Sequence, residues 1–303
     1  MANGSLFTHG LGHSPVWMVA RGLDKGPVWM ILSALLFSLV GVFVKQGAAY
    51  FSTAELVFYR SAVSLVVVFL MTRIAGVSLS TSVAPAHLWR SLAGTVAMML
   101  SFIAVTQLPL AMAASLNYTS PLFFTLFSVF WFKQRVHPVV LASILVGFAG
   151  VMLLLNPTFA GVKWQAGLAG VASGALAAIA YLGVNRLGEL GEPEQRTVFY
   201  FSLVATLASG VWMACTHIRA IRAQDVLVLA GLGMCATGAQ LCLTRAYSKG
   251  KSLAVTSLAY SNIVVSSMLG IWLWGDHHSA VEFMAMGLIV MSGIVANVGF
   301  RSR

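Results

Sequence analysis

The sequence predicts an all-α integral membrane protein in which ten transmembrane helices form two inverted five-helix repeats around a central cavity. Three observations carry that expectation. Of 303 residues, 59% are hydrophobic and only 9% charged, against about 25% charged in ordinary soluble domains. Mean hydropathy is +0.88, more apolar surface than a soluble packing of this length can hide. The apolar residues fall into ten runs, and a stretch in the first half has a weaker copy in the second.

The runs lie at 27–48, 54–73, 88–106, 109–131, 138–156, 165–185, 197–216, 225–247, 252–274 and 280–300, each bounded by charge, Pro or Gly. Their lengths suit tilted helices, since the ~30 Å hydrocarbon core takes about 20 helical residues. Pro109 separates the third run from the fourth, and Lys249-Gly250-Lys251 the eighth from the ninth. With the N-terminus in the cytoplasm, thirteen basic residues (Arg21, Lys25, Arg73, Arg90, Lys133, Arg135, Arg186, Arg196, Arg245, Lys249, Lys251, Arg301, Arg303) fall inside. Three fall outside: Lys163, Arg219 and Arg222. Basic residues mark cytoplasmic loops, so the expected location is the plasma membrane (a bacterial inner membrane), multi-pass, with both termini cytoplasmic. Residues 1–24 read as a cytoplasmic tail resembling neither a signal nor a transit peptide; Gly10 and Gly12 discourage the helix on which His9 and His13 could bind metal.

The fourth run sits in Thr106–Arg135, where Ala111, Ala114, Ser115, Asn117, Tyr118 and Ser120 form a small and polar seam before Pro121. Ser115-Leu116-Asn117-Tyr118-Thr119 answers to Ser257-Leu258-Ala259-Tyr260-Ser261, and the fifth and tenth runs are also alike. The expected halves are 25–156 and 157–303. Five spans per half place the second half upside down, a plan that recurs in secondary transporters with the site near the midplane.

Over about 27–300 the sequence resembles the drug/metabolite transporter superfamily, specifically its EamA-type ten-helix proteins. The resemblance rests on ELVFYR at 55–60, LPLAMAASLNYTSPLF in the fourth span, and the Gly-rich fifth and tenth spans. It implies a cavity built mainly from spans 1, 3, 4, 6, 8 and 9, and movement of small organic metabolites, commonly amino-acid export. Family members often end the fourth span with an acidic residue; here that place holds Gln134, while Asp276 keeps the acid in the second half.

Uncharged polar groups far from span ends should turn away from lipid. Asn117 and Tyr118 (span 4), Tyr181 (span 6), Gln240 (span 8), and Tyr260 and Asn262 (span 9) are therefore candidates for binding a solute, or else for holding helices together. Met98, Met99 and Phe102 in span 3 and Phe37 in span 1 could add apolar walls. That mixture suits a neutral or zwitterionic amphipathic solute and suits a polyanion poorly. Two readings stand for Lys45 and Arg60: snorkelling to the interface, with Glu55 as a counter-charge, or drawing a substrate carboxylate and gating the cavity mouth. No acid lies at the centre of a run, which favours a facilitator over proton coupling.

Other chemistries lack their residues. Cys215, Cys235 and Cys242 lie in or beside apolar runs and read as small hydrophobes. Gly250-Lys251-Ser252 lacks the first P-loop Gly, Arg245 standing in its place. No metal, cofactor, nucleic-acid partner or obligate protein partner is expected; the partners are membrane lipid and a small solute. The expectation is an exporter of small metabolites, amino acids first and aromatic or hydrophobic ones favoured. The alternatives are uptake or exchange of another metabolite, such as a nucleoside-derived one, and, less favoured, a membrane-embedded enzyme.

Overall fold

A computed structural model describes residues 26–132, 138–154, 164–216, 218–249 and 258–301. These residues form α1 Gly26–Gly47, α2 Thr53–Ile74, α3 Ala84–Gln107, α4 Leu110–Asn117, α5 Ser120–Phe132, α6 Pro138–Leu154, α7 Trp164–Glu189, α8 Glu194–Ala214, α9 Val226–Lys249, α10 Ser261–Trp274 and α11 Ala280–Arg301, with a single 3₁₀ turn at Ala223–Asp225. Among the described residues, six helices are long and apolar enough to cross a membrane, namely α1, α2, α3, α7, α8 and α9. Their outward faces carry exposed large apolar side chains, Leu35, Leu70, Leu92, Leu207 and Leu227 among them. An apolar surface of that extent belongs in lipid.

Helix boundaries follow local chemistry. Ser52 and Glu55 form a reciprocal cap on α2: Ser52 Oγ accepts from Glu55 N, and Glu55 Oε2 accepts from Ser52 N at 2.8 Å. α10 stops at Gly275, whose φ of 62° is the left-handed conformation glycine adopts freely. The third span begins at Ala84 rather than 88, because Pro85 suits a helix's first turn. Arg90, counted with the inside cations at the edge of the expected run, therefore stands in the second turn of α3 and is buried.

The expected fourth span, 109–131, is two helices rather than one. Pro121 has no N–H for the carbonyl of Asn117, and its ring crowds that carbonyl. The chain therefore turns at Tyr118–Thr119, with Thr119 Oγ1 capping Leu116 O at 2.7 Å. A second turn, at Ala259–Tyr260, precedes α10. Residues 252–257 of the expected ninth span, and Gln134, lie outside the described residues.

Four helix pairs form the framework: α1 with α9, α3 with α7, α2 with α8 and α6 with α11. Close approach depends on small residues. A Cβ added to Gly174 of α7 would stand 3.0 Å from the carbonyl oxygens of Leu116 and Asn117, and one on Gly183 would stand 2.8 Å from Arg90 Cβ. Polar groups tie the first half of the chain to the second at opposite ends of the bundle. At the end where α1 meets α2, Lys45 Nζ lies 3.2 Å from Asp276 Oδ2 and over the Trp274 ring, and Glu55 Oε1 accepts from Arg219 N at 2.7 Å. Where α2 meets α3, Glu192 accepts from Thr81, His87 and Arg196 at 3.0, 3.1 and 2.9 Å, and Arg196 Nε donates to Ser78 O.

Two predictions follow from these ends. Ser52→Ala removes half of the α2 cap and should cost about 1 kcal/mol, read as a lowered denaturation midpoint in detergent. Burial alone would raise the pKa of Glu192, but its hydrogen bonds to His87, Arg196 and Thr81 outweigh that and hold it below its ordinary value. A carboxyl with a depressed folded pKa contributes stability above its unfolded pKa and loses it as pH falls through the folded value. Melting temperature should therefore drop on acidification below roughly pH 4, and Glu192→Gln should flatten that part of the profile.

Candidate functional site

α1, α3, α4, α7, α9 and α10 surround a cavity of about 140 Å³, to which α2 and α8 add Arg60 and Phe201. A single water needs only about 10–15 Å³, so this is a chamber rather than a packing defect. The helices match spans 1, 3, 4, 6, 8 and 9. α3 supplies the longest wall, through Arg90, Gly94, Ala97, Met98, Ser101, Phe102 and Val105, in the three-and-four spacing of one helix face.

Nine expected residues line the chamber: Phe37, Arg60, Met98, Phe102, Asn117, Tyr118, Tyr181, Gln240 and Asn262. Several also hold helices together. Asn117 Nδ2 donates to Ser173 Oγ at 2.8 Å, joining α4 to α7. Asn262 Nδ2 donates to Ala34 O and Ser38 Oγ, both at 2.9 Å, joining α10 to α1. Such bonds between membrane helices average only ~0.6 kcal/mol each, so these side chains tie neighbouring helices weakly while bordering the chamber. Tyr118 sits at the α4 break, and Tyr181 stacks on Tyr247 with centroids 5.0 Å apart.

Three expected residues lie elsewhere. Met99 packs half-buried against the core while its neighbour Met98 faces the chamber, one residue being a 100° step around α3. Tyr260 is buried and does not line the chamber, and its hydroxyl has no hydrogen-bond partner among the described residues. Lys45 is held by Asp276, not by Glu55, which serves the α2 cap and Arg219.

Sequence reasoning missed Arg90, Phe201 and Ser266. Arg90 is 2% exposed and Arg60 4%. They enter from opposite ends of the bundle, each about 10 Å along its helix from the terminus, and converge on one ring: the Arg90 guanidinium lies 4.2 Å and that of Arg60 5.6 Å from the Phe201 centroid. Arg60 also contacts the Met98 sulfur. No carboxylate lines the chamber among the described residues. The one signal available in sequence was that Arg90 stands only two residues ahead of an unbroken 15-residue uncharged run, Leu92–Thr106, where a loop cation and a buried one look alike.

Residues 24–156 match the EamA-like transporter family model. The chain is 29% identical over 263 residues to a pseudopaline exporter of Pseudomonas aeruginosa, covering 87% of this chain and 92% of that one. It is 26% identical over 273 residues to an uncharacterized transporter of Helicobacter pylori (87% and 91%) and 25% identical over 266 residues to a riboflavin transporter of Vibrio cholerae (86% and 88%). One crystal structure aligns with a TM-score of 0.67 at 20% identity over 90% of this chain and 96% of that chain, a likeness of fold alone. An EamA-like domain over 24–156, transporter relatives along most of the chain's length and a chamber enclosed by apolar helices agree: the chain is a multi-pass membrane protein similar to EamA-like transporters.

Proposed function

We propose that this protein exports small organic metabolites, with amino acids and their close derivatives as the leading class and aromatic or hydrophobic ones favoured. The observation that carries the proposal is the chamber itself, walled by Phe37, Phe102 and Phe201 and edged by Asn117, Tyr181 and Gln240. A mixed wall of this kind holds a solute with one apolar and one polar end. Similarity to an exporter favours outward movement.

The helix pairing supports two inverted five-span repeats. Counting α4 and α5 as one span, the pair of spans 3 and 6 becomes spans 8 and 1 when five is added to one member and taken from the other, and the pairs 2–7 and 5–10 map onto themselves. The turns at Tyr118 and Tyr260 occupy matching places. On this reading ten spans cross a bacterial inner membrane with both termini cytoplasmic, and the halves rock about the chamber. Lys45–Asp276 closes the outer side and the Glu192 cluster the inner side. With no acid among the described lining residues to carry a proton, the carrier works as a facilitator.

Purified protein in liposomes should show counterflow of labelled phenylalanine, or of its N-acyl and dicarboxylic relatives, above empty liposomes and without dependence on a pH gradient. Absence of counterflow across that panel sinks the export reading; a steep pH-gradient dependence sinks the facilitator. The outer latch gives a second test. Asp276→Asn should cost about 1 kcal/mol of closure and so raise, by roughly fivefold, the rate at which an impermeant maleimide labels Ser101→Cys in a background lacking the native cysteines.

A further inference from the structure

We infer that the chamber selects a net-anionic solute, its carboxylate gripped by Arg60 and Arg90 on either side of Phe201; this rests on the transport reading above but sharpens the substrate class. Both guanidiniums are more than nine-tenths buried. The Nε atoms of both and Nη1 of Arg90 have no hydrogen-bond partner among the described residues. What they do contact, the Phe201 face and, for Arg60, the Met98 sulfur, are weak partners for a group with five N–H donors. A cation kept unpaired inside a membrane bundle is expensive and marks a functional position, and the group that best fits a guanidinium fork is a carboxylate.

The acids that could have neutralised these arginines are engaged at the ends of the bundle: Glu55 with Ser52 and Arg219, Glu192 with His87 and Arg196, and Asp276 with Lys45. The rest of the described lining is neutral. An ammonium group would find amide, hydroxyl and carbonyl oxygens there, but it would enter the field of two cations with no carboxylate to receive it. A free amino acid satisfies one arginine and places its ammonium against the repulsion. A small organic acid with an aromatic or branched apolar end, carrying one or two carboxylates and no free ammonium, satisfies the site. Within the proposed class of amino acids and their close derivatives, this favours the derivatives that carry net negative charge over a neutral or zwitterionic solute.

The probes are phenylalanine, N-acetylphenylalanine and phenylsuccinate, which share an apolar end and differ in charge. Binding is read first as ligand-induced thermal stabilisation of the full chain in detergent, independently of transport, and then as competition in proteoliposome counterflow. The two anions should bind at least tenfold more tightly than phenylalanine. Arg60→Gln and Arg90→Gln should each remove that advantage while leaving the ligand-free melting temperature unchanged or higher, since each deletes an unpaired buried charge. Arg90→Lys, which keeps charge but loses the fork, should retain part of it. Phenylalanine binding as tightly as the anions, or an anion preference that survives in both Gln variants, overturns the inference. Anion binding without counterflow supports the arginine pair and discards the transport reading instead. Should one Gln variant fail to fold, the wild-type ranking and the Lys variant decide.

Discussion

Inside a hydrocarbon slab a charge must find a partner on its own protein or on what that protein carries, and this requirement distinguishes two sets among the described charged residues. One set closes on itself at the ends of the bundle. Lys45 meets Asp276, and Glu192 gathers His87, Arg196 and Thr81. The other set is Arg60 and Arg90, which share only the ring of Phe201. The end clusters join residues far apart in sequence, so they hold the two halves of the chain together where water is near. The arginines stand where water is scarce, and the cavity forms around them.

The chamber exists because helices that would otherwise fill it are interrupted or held off. Pro121 breaks the fourth span and leaves Tyr118 and Asn117 at a turn beside the cavity. Gly174 lets α7 press against that turn, and Gly183 and Gly94 leave room for the Arg90 side chain. Neutral hydrogen bonds such as Asn262 to Ser38 keep the surrounding helices in register. They are individually weak, about 0.6 kcal/mol on average between membrane helices.

Much of the site was legible because lipid punishes polar groups. Asn117, Tyr118, Tyr181, Gln240 and Asn262 had to turn inward, and all five border the chamber. The failures have a common cause. Met98 and Met99 are equally apolar, so only packing sets which one faces inward. Tyr260 follows the same logic as Tyr118, yet it is buried without joining the lining. Arg90 looked like a flanking cation because position along the chain does not reveal that Gly183 and Phe201, about a hundred residues away, enclose it.

The sequence by itself determined the class of molecule, the approximate positions of its helices and which polar side chains had to avoid lipid, because each follows from local composition and the length of helix that spans a bilayer. Only the tertiary structure decided which charges are paired and which line the chamber without a carboxylate among the described residues. Ion pairing depends on distances of a few ångströms between residues as far apart as Lys45 and Asp276, separated by 231 positions in the chain. Nothing in either neighbourhood encodes that separation; the packing of α1 against α10 does.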